Sequence, residues 1–250
     1  MNVRSNFGTR ATAWLVAAIP LAAAAPLIAV LALAAIQPAA ADAGAAVAET
    51  KASQAALTPA DAKARLIAGN DRFVKGELKS RDLMAQVEAT ASGQYPFAVV
   101  LGCIDSRVPP ELVFDQGIGD IFSARVAGNF VNSDILGSME FATAVAGSKL
   151  IVVLGHSACG AVKGACDGVE LGHLTHTLSN IAPAVYATDV EGERSSKNTA
   201  FVDAVTRKNV ELTVANITER SAVIRDLVAE GKVEVVGAVH DVASGKVTFF

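Results

Sequence analysis

Two stretches of the chain are apolar at nearly every position. Phe97-Ala98-Val99-Val100-Leu101-Gly102 and Leu150-Ile151-Val152-Val153-Leu154-Gly155 show neither the alternation of a half-exposed strand nor the three-to-four spacing of an amphipathic helix. Short runs of this kind, rich in Val and closed by Gly, predict strands buried on both faces of a parallel sheet. Residues 120–124 and 233–239 predict two more strands. Ser244-Gly245 then turns the chain into a last short strand ending at Phe250. Between these runs the spacing becomes helical. Thr58-Pro59-Ala60-Asp61 carries the N-cap and first-turn proline of a helix. Leu66, Ile67, Phe73 and Val74 form its apolar side, and Gly76 ends it. Further helices are predicted over 82–90, 134–146 and, as the longest, 199–229. This alternation predicts an α/β fold, a mainly parallel β-sheet flanked by helices. Reactive groups in such sheets sit just past the C-terminal ends of the strands.

The N-terminus follows a different pattern. Arg4 and Arg10 precede an apolar stretch over 11–36, and Ala39-Ala40-Ala41 fits an A-x-A cleavage site. Residues 1–41 therefore read as a signal peptide. Left uncleaved, the same run is long enough to anchor the chain in a bilayer. Residues 42–57 read as an Ala-rich linker, and 58–250 as one domain. The expected location is outside the cytoplasm, periplasmic or secreted, with no membrane contact once the signal is removed. The net charge is -4, or -6 once Arg4 and Arg10 are set aside, and no Lys/Arg-rich run occurs. That excludes nucleic acid as the expected partner, because phosphate binding needs clustered positive charge. Three cysteines is an odd count, which argues against a pure disulfide framework.

Two predicted strand ends hold most of the reactive side chains. Cys103-Ile104-Asp105-Ser106-Arg107 follows the first run, and His156-Ser157-Ala158-Cys159 follows the second. Parallel strands bring both to one edge of the sheet. Cys103, His156 and Cys159 are then a candidate zinc set, since zinc favours thiolate and imidazole in a tetrahedron. Three protein ligands leave one position open, as a catalytic metal requires. Asp105 has two available states: to ligate the metal and close the site, or to pair with Arg107 and accept a hydrogen bond from metal-bound water. A disulfide between Cys103 and Cys159 is the competing reading in an oxidising compartment.

Cys103-Ile104-Asp105-Ser106-Arg107-Val108-Pro109 and Gly155-His156-Ser157-Ala158-Cys159-Gly160 resemble the two signatures of the β-class carbonic anhydrases. Arg125-Val126-Ala127-Gly128-Asn129 and Gly237-Ala238-Val239-His240-Asp241 also resemble that family. The resemblance runs from about residue 58 to the end. It implies zinc on Cys103, His156 and Cys159, and an Asp105–Arg107 dyad. The implied reaction is reversible hydration of carbon dioxide to bicarbonate and a proton, by zinc-bound hydroxide oriented by that dyad. It implies a substrate pocket at Gln94, Val108, Phe122, Phe141 and Gly160, with Phe141 standing where one subtype has Tyr. Val100 stands where another subtype has the Trp of an inhibitory bicarbonate site, and the sole Trp is Trp14, so no bicarbonate-locked form is expected. The resemblance further implies a homodimer or higher homo-oligomer, with an N-terminal helical arm around the partner and Gln94 and Phe122 supplied across the interface.

Other residues receive smaller expectations. Cys166 reads as a free thiol, His173 and His176 as surface groups with a proton shuttle as the alternative, and His240 as structural; Asp120 and Glu140 have no assigned role. Two other functions remain open on sequence grounds. One is hydrolysis of carbon disulfide or carbonyl sulfide at the same zinc site; the other is a non-catalytic zinc or thiol protein.

Overall fold

The computed structural model describes residues 48–250. The predicted signal segment, Trp14 and the first part of the predicted linker lie outside the described residues.

Strands β1 (Ala98–Gly102) and β3 (Leu150–His156) are buried at every position. They are the two runs apolar throughout, and they occupy the middle of a five-stranded sheet. The others are β2 (Ile121–Arg125), β4 (Glu234–His240) and β5 (Val247–Phe249). The order is β2-β1-β3-β4-β5, parallel except for β5. Strand alternation splits the core into two faces. Val100, Val152, Leu154 and Ala238 point to one face, where Leu66, Val113 and Phe114 cover them. Val99, Leu101, Ile151 and Val153 point to the other, under Leu136, Met139, Val210, Ile217 and Ile224. Each such side chain contributes ~1.5–3 kcal/mol on leaving water, so the continuous apolar runs fix which strands are central.

The covering helices are, in chain order, α1 (Lys51–Ala56), α2 (Pro59–Lys75), α3 (Leu83–Thr90), α4 (Pro110–Val113), α5 (Ser133–Glu140), α6 (Gly160–Cys166), α7 (Gly172–Ser179), α8 (Ala182–Ala187), α9 (Thr199–Arg220) and α10 (Ala222–Ala229). Helix α2 starts and stops as expected. Thr58 and Asp61 form a capping box, and Gly76 closes the helix at φ 72°. The helix is fastened to its own domain. Ala62 and Leu66 enter the core, and Asn70 donates to Val113 O (3.0 Å) and Gly245 O (2.9 Å). Helix α3 exposes Leu83, Met84 and Val87.

Three expectations need correction. The predicted linker carries α1, capped by Thr50 and Ser53, and its buried Gln54 donates to Pro96 O and Ala146 O, both at 2.8 Å. A six-residue helix pinned by a polar side chain leaves no apolar periodicity to read. The single helix expected over 199–229 is two. Ser221 takes extended angles (φ -110°, ψ 108°), accepts from Ile224 N at 3.1 Å and donates to Glu140 Oε1 at 2.6 Å. The helix expected over 134–146 is α5 continued by a π-helical turn, Phe141–Val145.

Candidate metal centre

Sheet register sets the geometry of the site. Gly102, the last residue of β1, lies opposite Leu154 of β3 and Arg125 of β2. Cys103 therefore leaves the sheet beside the last residues of β3, which runs on to His156. The loop after β1 is clamped by Arg125, whose Nε donates to Cys103 O (2.8 Å) and Nη2 to Asp105 O (2.6 Å). Gly128 N donates to Cys103 Sγ at 3.4 Å. Gly128 must be glycine twice over. Its φ is 82°, and a Cβ there would meet Ile181 Cδ1 at 2.3 Å.

On the second strand end, His156 is completely buried. Its Nδ1 lies 2.9 Å from Ser157 O. A carbonyl only accepts, so Nδ1 carries the proton and Nε2 presents its lone pair. Ser157 ties this loop to the end of β4, donating to Asp241 Oδ1 at 3.1 Å and accepting from Val242 N at 3.0 Å. Ala158 adopts φ 55°, a left-handed turn that a non-glycine residue enters at a cost. It brings Cys159 round to the N-cap of α6, where its side chain is 1% exposed.

The result is a compact donor set. Cys103 Sγ, Cys159 Sγ and a ring nitrogen of His156 all lie within 4.8 Å of one another. The closeness of Cys159 lowers the Cys103 pKa, while Cys103 and then burial raise that of Cys159. His156 Nε2 is buried with no hydrogen-bond partner. An orphaned lone pair facing two sulfurs is costly unless something fills the space between them. The donor types fit a metal ion that prefers thiolate and imidazole.

Asp105 stands beside this set in its Arg-paired state. Arg107 Nε donates to Asp105 Oδ1 (2.9 Å), Nη2 to Oδ2 (2.8 Å), and the Arg107 backbone N–H to Oδ1 (3.0 Å). The guanidinium hydrogen bonds hold the carboxyl well below the usual carboxylate range, outweighing partial burial. Its Oδ2 lies 3.8 Å from His156 Nε2.

Cys103, Asp105 and Gly160 line one cavity of about 350 Å³, together with Leu174 and Leu178 of α7. The other expected pocket residues lie elsewhere within the single chain. Val108 is fully buried in the core near α4. Phe122 and Phe141 meet edge-to-face at 6.2 Å and line a separate cavity of about 720 Å³. Gln94 is exposed and precedes β1, whereas Cys103 follows it, so the two lie at opposite ends of that strand. Sequence reasoning noted Arg125 and Gly128 as part of a motif without giving them work. It passed over the apolar wall from α7 entirely.

The remaining candidates fall into structural positions. His240 pairs with His156 in the sheet register and is buried with neither ring nitrogen bonded. Burial lowers its pKa. His173 and His176 are exposed on α7, and Cys166 is a half-buried free thiol. Glu140 accepts from Ser221, and Asp120 Oδ2 accepts from Gly117 N at 2.8 Å.

Comparison with known proteins gives a consistent picture. The carbonic anhydrase family model matches residues 98–247. Carbonic anhydrase 2 of Mycobacterium tuberculosis is 37% identical over 184 residues, spanning 71% of this chain and 86% of that protein. The carbonic anhydrase of Mycolicibacterium smegmatis is 37% identical over 181 residues, 72% and 87% of the two chains. Among solved structures, a tetrameric β-carbonic anhydrase of Sordaria macrospora superposes with a TM-score of 0.54 at 32% identity, covering 64% of this chain and 83% of that one. The Coccomyxa β-carbonic anhydrase in complex with acetazolamide gives 0.58 at 27%, covering 65% and 75%.

Proposed function

The chain belongs to the β-class carbonic anhydrase family, and on that footing we propose that it holds zinc on Cys103, His156 and Cys159 and hydrates carbon dioxide reversibly to bicarbonate and a proton. The carrying observation is the buried, unpartnered His156 Nε2 facing two sulfurs, with an Arg-locked carboxylate 3.8 Å away. Zinc bound there supplies a Lewis acid that acidifies a water ligand toward neutral pH. Asp105, kept ionised and acceptor-only by Arg107, takes a hydrogen bond from the attacking oxygen and turns its lone pair toward carbon. Cys103 and Cys159, as thiolates, offset the ion's charge, so activity rises through mildly alkaline pH. A store of zinc needs no Asp105–Arg107 pair, which favours catalysis over the metal-binding reading.

The further parts of the reading are an oligomer and export. The exposed Leu83, Met84 and Val87 of α3, and the Phe122–Phe141 cavity outside the chain's own metal cavity, support a homodimer or larger assembly. The Arg4/Arg10 and Ala39–Ala41 pattern supports periplasmic or secreted delivery. Among the described residues no helix is long and apolar enough to cross a membrane.

Asp105→Asn tests the catalytic reading. The variant is expected to retain one zinc per chain while carbon dioxide hydration falls about a hundredfold, the scale of losing one aligned polar contact to the reacting oxygen. Full activity with normal zinc would sink it.

A further inference from the structure

The loop between β3 and α6 meets two demands that oppose each other. It keeps the Ser157 carbonyl 2.9 Å from His156 Nδ1, and it turns at Ala158 with φ 55° to bring Cys159 round. Rotating the peptide between Ser157 and Ala158 by half a turn would return the φ of Ala158 to an ordinary negative value. The same rotation would swing the Ser157 oxygen away from the imidazole. The observed orientation is therefore strained and persists only if its surroundings hold it. Ser157 supplies the hold. Its N–H donates to His240 O at 2.9 Å. Its Oγ donates to Asp241 Oδ1 at 3.1 Å and accepts from Val242 N at 3.0 Å.

The other half of this grip is preformed. β3 and β4 run in register to His156 and His240, so Asp241 stands opposite Ser157. The turn between β4 and β5 fixes the carboxylate: Ala243 N donates to Oδ1 (3.0 Å) and Ser244 Oγ to Oδ2 (2.6 Å). Helix α2 fixes the turn, since Asn70 donates to Gly245 O (2.9 Å) and accepts from Val247 N (2.8 Å).

We propose that Ser157 and Asp241 are positioning residues for the metal centre: the β4–β5 turn clamps the strained 157–158 peptide and so keeps the lone pair of His156 Nε2 turned toward Cys103 and Cys159. The proposal rests on the reading of His156 as a metal ligand. Neither residue touches metal or substrate; both act through the Ser157 carbonyl. Outer partners that orient a ligating histidine carry about 10–100-fold of metal affinity.

Two measurements on the full chain test it together: zinc affinity by competition with a chromophoric chelator, and the His156 tautomer by NMR of the ring nitrogens in metal-free protein. The chain has four histidines, so the ring signals are few. Ser157→Ala is expected to weaken zinc about 10–100-fold and to replace the single Nδ1–H form of His156 by a mixture. Ser157→Thr keeps the hydroxyl and is expected to keep both properties. Adding Ala158→Gly to Ser157→Ala is expected to restore both, because glycine takes a positive φ without strain and the clamp is no longer needed. Ser221→Ala, weakened far from the loop, is expected to bind zinc as the unaltered protein does. Unaltered zinc affinity or an unaltered tautomer in Ser157→Ala overturns the proposal. So does a loss that Ala158→Gly leaves unrestored, or an equal loss in Ser221→Ala. If the unaltered protein takes up no zinc, the metal reading falls instead, and the His156 tautomer in the variants still decides whether the clamp orients the ring.

Discussion

At the scale of single residues, the site depends on backbone turns as much as on ligands. His156 offers Nε2 because Ser157 O fixes the proton on Nδ1. Cys103 is held by Arg125 and Gly128, and Cys159 is swung into place by the left-handed Ala158. Replacing His156 by Ala is therefore expected to leave less than one metal per chain after dialysis, read by elemental analysis. Gly128→Ala tests the scaffold. Its methyl group would collide with Ile181 in a backbone conformation that Ala resists, so a loss of about 1–3 kcal/mol in denaturant unfolding is expected. The ligand types and their His-x-x-Cys spacing were legible in the sequence because they are local. The roles of Arg125 and Gly128 were not, because each acts through a neighbouring strand or loop more than twenty residues away.

At the scale of elements, the runs with no polar interruption were the most legible part of the fold. β1 and β3 stand where uninterrupted burial predicts them. What escaped was punctuation by side-chain hydrogen bonds. Ser221 ends α9 and starts α10 without Gly or Pro, and Thr50 starts a helix inside an Ala-rich segment. Ser221→Ala removes both the cap on Ile224 N and the bond to Glu140, and a loss of about 1–2 kcal/mol is expected in thermal or urea unfolding. Helix α2 meets the residues after α4 more closely than any side chain permits. A Cβ on Gly69 would lie 1.8 Å from Phe114 O. Gly69→Ala should thus separate α2 from the sheet and destabilise the domain, whereas Gly76→Ala, with nothing within 4 Å, pays only for its positive φ. Comparing the two unfolding curves separates contact from backbone strain.

At the scale of the whole molecule, Asp115 binds distant segments together. It accepts from Arg72 on α2, from Arg81 ahead of α3 and from the backbone of Lys79. Burial raises its carboxyl pKa, but the hydrogen bonds from Arg81 and Arg72 outweigh that and leave it lowered. A carboxyl lowered in the folded state stabilises the fold above its unfolded pKa of about 3.9, and the benefit fades as pH falls through the folded value. Stability is therefore expected to fall below about pH 4, and Asp115→Asn should flatten that acid limb while costing about 3 kcal/mol at neutral pH. The assembly was the least legible scale. Gln94, Phe122 and Phe141 share no cavity with Cys103 in one chain, and sequence spacing carries no record of which copy a residue faces. The central claim, that Cys103, His156 and Cys159 hold a working zinc rather than a structural or stored one, is tested most directly by stopped-flow carbon dioxide hydration at about pH 8.5, where acidified water is ionised. The account predicts turnover far above buffer for zinc-loaded protein, lost on chelation and restored by zinc. Zinc bound at one per chain with no turnover above buffer would contradict it.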